Sequence, residues 1–279
     1  MHKLIDVSVV IVNWNTCELL ENCLKALIAY TSSKTTYEII VVDNGSTDGS
    51  PEMIEQHFPA VALIRNQNNL GFAKANNQAI AVSTGRYILL LNSDTELNSD
   101  ALTAMVHFMD AHPSAGICGA KLLNADGTRQ YSCDLFPRTP YVMLRDKIRD
   151  TVQRHPENSW QNRMAAWDFD RNFAVDYLIG AVLLIRRETL EQIGLLDEHF
   201  FMYAEDIDWC YRAHLKGWQT YYLGTVSIYH YNRGSSDKSA KLSTRLQALR
   251  RKSLLQFYRK HYGFLSCLAC RIIFALKVS

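Results

Sequence analysis

Three runs of β-branched and aliphatic residues, 7–12, 38–42 and 87–91, each end in polar groups and are separated by stretches of helical periodicity. Runs without polar alternation mark strands covered on both faces. Strand, helix, strand in succession requires a right-handed crossover and therefore a parallel sheet. Between the first two runs, Leu19, Leu20, Cys23, Leu24, Leu27 and Ile28 recur at helical spacing. Residues 44–48 supply a turn and an N-cap for a helix to about His57, 60–65 read as a short third strand, and 72–83 as a helix stopped at Gly85. The strands thus end in Asn13-Trp14-Asn15, Asp43-Asn44 and Asn92-Ser93-Asp94 at one sheet edge, the edge where open α/β sheets bind ligands.

The second half predicts a helix over 100–111, a strand over 116–122, an irregular aromatic-rich stretch over 131–173, a strand over 176–185, helices over 187–193 and 205–216, and a strand over 219–229 ending at His230. Residues 238–262 read as a basic helix with Leu242, Leu246, Leu249, Leu254 and Phe257 as a partial apolar face. Two units are expected: a catalytic-size α/β domain over 1–236 and a basic amphipathic helical extension over 237–279.

With 279 residues, 48% hydrophobic and 21% charged, the chain can bury a large core, and 13 Gly and 6 Pro exclude collagen or a Pro-rich linker protein. Seven cysteines include one CxxC pair, Cys267 and Cys270, without the second pair or histidines of a zinc site, which fits a reduced protein. A strand-like run from residue 7, with no signal-peptide pattern before it, makes a cytoplasmic location the expectation. Residues 238–279 hold ten Lys and Arg and no Asp or Glu, leaving twenty basic against twenty-eight acidic residues before them. Such a tail is attracted to an anionic membrane surface or forms a solvated helix face. Residues 263–278 are apolar but interrupted by Arg271 and Lys277, and shorter than the ~20 residues that span a bilayer. A peripheral position at the inner face of the cytoplasmic membrane is therefore expected, not a crossing. Aromatic residues are too sparse among the basic ones for a nucleic-acid groove, Phe257 and Tyr258 being the exceptions.

Several chemistries are excluded by motif. The chain has no Gly-x-Gly-x-x-Gly after its first strand, no P-loop, no HExxH and no GxSxG. Asp94, at a strand mouth, suits a hard divalent cation such as Mg2+ or Mn2+, although Asn, Ser and Asp favour strand ends for turn chemistry alone. His230, at another strand end, would complete a mixed O/N site that favours Mn2+. Glu205-Asp206-x-Asp208 opens a helix, where the macrodipole favours acids without any catalytic need, and Asp208 with Arg212 is an ordinary i,i+4 pair. The same carboxylates follow Phe200-Phe201-Met202-Tyr203, apolar company that raises a carboxylate pKa towards the range of a general base.

Taken in order, 7–15, Glu38 to Asp48, Asn69-Leu-Gly71-Phe-Ala-x-Ala-x-Asn77, Asn92-x-Asp94 and Glu205-Asp206-x-Asp208-x-x-x-Arg212 resemble a family 2 glycosyltransferase of the GT-A fold, in its rhamnosyltransferase-like branch acting on cell-surface polysaccharides such as O-antigen. The resemblance spans about residues 6–236. It implies an α/β, Rossmann-like, mixed but mainly parallel sheet flanked by helices. It also implies nucleotide-sugar contacts from Trp14, Asn15, Asp43, Asn44, Gly71, Lys74, Asn92 and Ser93, with Asp43 at the base or ribose. Asp94 would be the last residue of the family's D-x-D metal motif, whose first Asp is here Asn92, and His230 the late metal ligand. Asp206 would be the catalytic base, with Glu205 beside it. The implied reaction is inverting and metal-dependent, moving one sugar from a dTDP- or UDP-sugar to a glycan or polyprenyl-diphosphate-linked acceptor, with no nucleic acid involved. Processive synthases of the family carry Gln-x-x-Arg-Trp, which this chain lacks. Trp160 and Trp167 are candidates for stacking on acceptor sugars. The alternative is a non-catalytic nucleotide- or membrane-surface-binding module. A sugar nucleotidyltransferase is disfavoured because no Gly-rich basic loop follows the first strand.

Overall fold

The computed structural model describes residues 4–142, 167–231 and 240–276. The first half alternates as its sequence implies: β1 (Val7–Asn13), α1 (Cys17–Tyr30), β2 (Tyr37–Asp43), α2 (Ser50–His57), β3 (Ala62–Arg65), α3 (Phe72–Val82) and β4 (Tyr87–Asn92). β1 lies between β2 and β4 and β2 pairs β3, all in parallel. Side chains of β1 alternate between two cores: Val7, Val9 and Ile11 join Leu20, Leu24 and Met105, while Val10 joins Ala73, Ala79 and Trp209. Both faces are dry, which is why the run carries no polar alternation. Each such side chain contributes about 2 kcal/mol by burial.

β5 (Thr95–Leu97), α4 (Ala101–Ala111), β6 (Ala115–Leu123), β7 (Cys133–Asp134), β8 (Asn172–Val175), β9 (Tyr177–Leu178), β10 (Val182–Arg186), α5 (Arg187–Ile193), α6 (Glu205–Leu215), β11 (Gln219–His230) and α7 (Ala240–Leu276) follow. The main sheet runs β3-β2-β1-β4-β10-β6-β11-β5, with β8 beside β11. β10 is inserted antiparallel to both β4 and β6. Asp100 caps α4 by accepting from the Thr103 N–H.

Two expected strands differ. β3 begins at Ala62, not residue 60, because the Val61 N–H closes a turn on Phe58 O. The run 176–185 divides: Tyr177 and Leu178 pair β7 in a separate two-stranded sheet, whereas 182–186 enter the main one. The break at 179–181 falls beside the candidate base.

The basic extension does not stand apart from the body. α7 divides at Gly263, whose φ of 82° and ψ of 173° are not helical. Before that point Ser253, Phe257 and Tyr258 are buried. Ser253 Oγ donates to Met202 O at 2.8 Å, Tyr258 to Arg138 O at 2.7 Å and Tyr262 to Pro137 O at 2.8 Å. The face that docks is therefore centred on Ser253, Phe257 and Tyr258 rather than on the leucines expected, of which Leu246, Leu249 and Leu254 are half-buried and the Leu242 side chain lies outside the described residues. All seven cysteines are free thiols.

Candidate active site

β1 and β2 end in register, Asn13 opposite Asp43. Asn13 Nδ2 donates to Asp43 Oδ1 and to Ser46 Oγ, each at 3.2 Å, and the Ser46 N–H donates to Asp43 Oδ2 at 2.9 Å. Asp43 is thereby held at the sheet edge at 2% exposure. Asn15 takes a left-handed φ of 54°, its N–H donating to Ser46 Oγ at 2.9 Å and its Oδ1 accepting from the Thr47 N–H at 2.8 Å. The two loops are thus laced together, and Trp14 between them stays 51% exposed, its ring face available to a flat ligand.

Asn44 behaves differently from the contact expected of it. Its Oδ1 accepts from the Leu70 N–H and Asn66 Nδ2, and its Nδ2 donates to Asn69 Oδ1 and Gly71 O. A fully satisfied, 2% exposed amide shapes the 66–71 loop from within. Gly71 is needed there: at φ 88° a Cβ would lie 2.7 Å from both the ring and the carbonyl oxygen of Phe201. The Phe72 N–H donates to that same carbonyl at 2.8 Å, which ties the nucleotide edge to the segment before α6. Lys74 is exposed on α3, and no described hydrogen bond or ion pair joins it to this group.

The Asn92–Asp94 turn meets His230 across the sheet. A register shift between Leu223 and Ser227 lets the end of β11 continue along β6 and pair β5, setting His230 opposite Thr95. His230 Nε2 lies 3.2 Å from Asp94 Oδ1 and 3.3 Å from Asn92 Nδ2. Ser93 Oγ is 2.9 Å from Thr16 Oγ1. Asp94 and His230 are 7% and 5% exposed. A buried carboxylate oxygen beside an imidazole nitrogen is a donor pair that fits Mn2+ or Mg2+. Among the described residues no group of three His, Cys, Asp or Glu surrounds an ion position, so the remaining ligands would be phosphate oxygens and water.

Asp206 approaches this turn from the other side. Its Oδ2 accepts from the Gly180 N–H at 2.9 Å and its Oδ1 from the Ile207 N–H at 2.8 Å, while the next carbonyl, Ala181 O, accepts from the Asn92 N–H at 2.9 Å. The break between β9 and β10 thus links Asp206 and the Asn92–Asp94 turn through one short stretch of backbone. Tyr203 and Ala204 take consecutive left-handed φ values of 70° and 66°, a costly conformation for residues with a Cβ, just before Glu205. Glu205 is 5% exposed, and neither its Oε2 nor the Tyr203 hydroxyl has a hydrogen-bond partner among the described residues. Burial, and secondarily the neighbouring Asp206 carboxylate, holds the Glu205 carboxyl well above its usual range. Burial raises Asp206 too, against the two N–H groups that favour its charged form. Two N–H donors meet the Asp206 carboxylate and none meets Glu205 Oε2, so of the two Asp206 is the better placed to carry negative charge.

Some participants gave no signal in the sequence. Ser46 and Thr16 are reached only through the loop crossing, and Gln130 only through the turn after β6. Trp167 packs on Phe169 and Phe173 at 5.9 and 5.2 Å between ring centres, part of a loop cluster over Tyr222, and Trp160 lies outside the described residues.

The mixed sheet with its polar strand ends at one rim has the GT-A fold of glycosyltransferases. The fold superposes on a mannosyltransferase of Pyrobaculum calidifontis solved with GDP-Man and Mn2+ (TM-score 0.63, 17% identity, 94% of this chain and 66% of that one). It also superposes on S. aureus TarS (TM-score 0.58, 18% identity, 92% of this chain and 74% of that one). The family model for glycosyl transferase family 2 matches residues 8–212, and the chain belongs to that family. It is 26% identical over 269 residues, 92% of its length and 85% of the relative's, to an N-acetylglucosaminyl-diphospho-decaprenol L-rhamnosyltransferase of Mycobacterium tuberculosis. It is equally 26% identical, over 75% of its length and 61% of the relative's, to a low-salt glycan biosynthesis hexosyltransferase of Haloferax volcanii.

Proposed function

We propose that this glycosyltransferase transfers one sugar, rhamnose being the first candidate, from a dTDP- or UDP-sugar to a hydroxyl of a polyprenyl-diphosphate-linked glycan, with inversion and with Mn2+ or Mg2+ as cofactor. The reading is carried by the approach of Asp206 and the Asp94–His230 pair to the same turn, through Gly180 and Ala181. The M. tuberculosis relative, whose name specifies a rhamnosyltransferase and a decaprenol-linked substrate, supports the choice of sugar and acceptor.

Trp14, Asn15 and Asp43 bind the nucleoside end of the donor, with Ser93 and Asn92 below its phosphates. Asp94 and His230 would hold the cation, which would supply positive charge against the departing diphosphate. Asp206 orients the acceptor hydroxyl and takes its proton as that oxygen bonds to the anomeric carbon and the bond to phosphate breaks on the opposite face. Burial holds the Glu205 carboxyl well above its usual range, which disfavours a second negative charge beside Asp206. The work is cytoplasmic, at the inner membrane face, where residues 237–279 dock. Beyond Gly263, α7 exposes Phe264, Leu265, Leu268 and Ile272 along one stripe beside Arg271. No helix among the described residues is long and apolar enough to cross a membrane.

The test is binding and hydrolysis of dTDP-, UDP- and GDP-sugars with Mn2+, Mg2+ or EDTA. One nucleotide class is expected to bind with metal, Asp94→Ala to lose that dependence, and Asp206→Asn to keep donor binding while transfer falls about 10²–10⁴-fold. Binding indifferent to both metal and Asp94, or unchanged transfer in Asp206→Asn, would overturn it.

A further inference from the structure

Gln130 follows the turn Asn124-Ala-Asp126-Gly127-Thr128, in which Gly127 has φ 81° and the Asn124 N–H donates to Thr128 O at 2.8 Å. That turn carries Gln130 back along β6, its own N–H donating to Leu122 O at 2.7 Å, and so to the end of β11. There its side chain grips His230 twice. Gln130 Nε2 donates to the His230 backbone oxygen at 3.1 Å, and Gln130 Oε1 lies 2.6 Å from His230 Nδ1.

The two contacts together remove the usual ambiguity of amide and imidazole. A backbone carbonyl only accepts, so the amide nitrogen must face it, and a second donation from Nε2 to Asn124 Oδ1 at 2.9 Å agrees. The amide oxygen must then face Nδ1, and an amide oxygen only accepts, so Nδ1 carries the hydrogen. In the neutral ring this leaves the lone pair on Nε2, the nitrogen beside Asp94 Oδ1 and Asn92 Nδ2. Asn92 can donate to that lone pair, which a carboxylate at position 92 could not.

We infer that Gln130 is a positioning residue that fixes His230 as its Nδ1–H tautomer, with Nε2 presented towards the cation position. This rests on the reading of Asp94 and His230 as metal ligands for its consequence, but not for the tautomer itself. Outer partners that fix ligand tautomers typically matter about 10–100-fold in metal affinity.

The tautomer is read from imidazole 15N–1H correlations of the metal-free protein, His230 being assigned by its loss in His230→Gln. At a pH where the ring is neutral, wild type is expected to show a protonated Nδ1 and an unprotonated Nε2. Gln130→Leu should lose that preference, and Gln130→Glu, which still accepts from Nδ1–H, should retain it and serves if the leucine variant does not fold. Mn2+ affinity in the presence of UDP or dTDP, by calorimetry, should fall about 10–100-fold in Gln130→Leu and less in Gln130→Glu. An Nε2–H tautomer in wild type, or a tautomer indifferent to Gln130→Leu, overturns the inference. If wild type takes no Mn2+ while the tautomer is as described, the metal reading fails and the positioning of His230 by Gln130 stands.

Discussion

His261 Nε2, on α7, lies 2.7 Å from Oδ1 of Asp208, the third carboxylate of the Glu205-Asp206-x-Asp208 motif. Lys260 Nζ meets the same oxygen at 2.7 Å and Arg212 Nε donates to Oδ2 at 2.8 Å. Asp208 is fully buried, so burial opposes its charge, but the hydrogen bond from His261 and the charges of Arg212 and Lys260 outweigh this and hold its pKa below the usual value. The C-terminal helix is thus clamped to the motif that carries the candidate base. Asp208→Asn removes the countercharge of Arg212, Lys260 keeping Asp197 at 2.7 Å, and is expected to cost on the order of 3 kcal/mol in urea unfolding. Because the folded pKa is depressed, the clamp is at full strength above the unfolded value and weakens as pH falls through the folded one. The deficit of Asp208→Asn should therefore shrink in acid.

Glu205 has the opposite sign. Its carboxyl is raised in the folded protein, so between the unfolded value, near 4.5, and the higher folded one the unfolded chain sheds a proton that the folded chain keeps. Wild-type stability should decline as pH rises through that window. In Glu205→Gln the part of that decline owed to Glu205 should disappear, leaving the smaller part owed to the buried Asp206, measured as a flatter curve of unfolding free energy against pH.

Gly71→Ala should disturb both sides of the site at once. The left-handed backbone alone costs about 1–2 kcal/mol for a residue with a Cβ. The added carbon also meets Phe201, 2.7 Å away, at the carbonyl that accepts from Phe72. A lower Tm and a weaker nucleotide affinity are expected together, since the 66–71 loop and the approach to α6 share that contact.

The stripe beyond Gly263 predicts binding to vesicles containing anionic phospholipid. Leu265 and Leu268 are 79% and 43% exposed, and Leu265→Glu with Leu268→Glu should reduce vesicle affinity about 1,000-fold, the worth of two buried leucines. Transfer to a water-soluble acceptor should be unchanged. Equal sedimentation of wild type and double variant with vesicles would count against membrane docking by this stripe.

The alternation of 7–91, the polar strand ends at Asn13, Asp43 and Asn92–Asp94, and the acids that open α6 were legible because each is written in local periodicity or turn chemistry. His230 and Asn92 are 138 residues apart, and their meeting depends on a register shift inside β11 that no local pattern announces. The antiparallel insertion of β10 was equally silent, because a buried apolar strand reads the same in either direction. Tertiary packing also decided the role of the basic tail. Its sequence says only that it is cationic and helical, whereas Asp208, a carboxylate buried in the body, draws Lys260 and His261 onto the catalytic motif. The local code of one chain segment specifies its element, and the partner that element meets is selected by the charge and shape of surfaces assembled from distant residues.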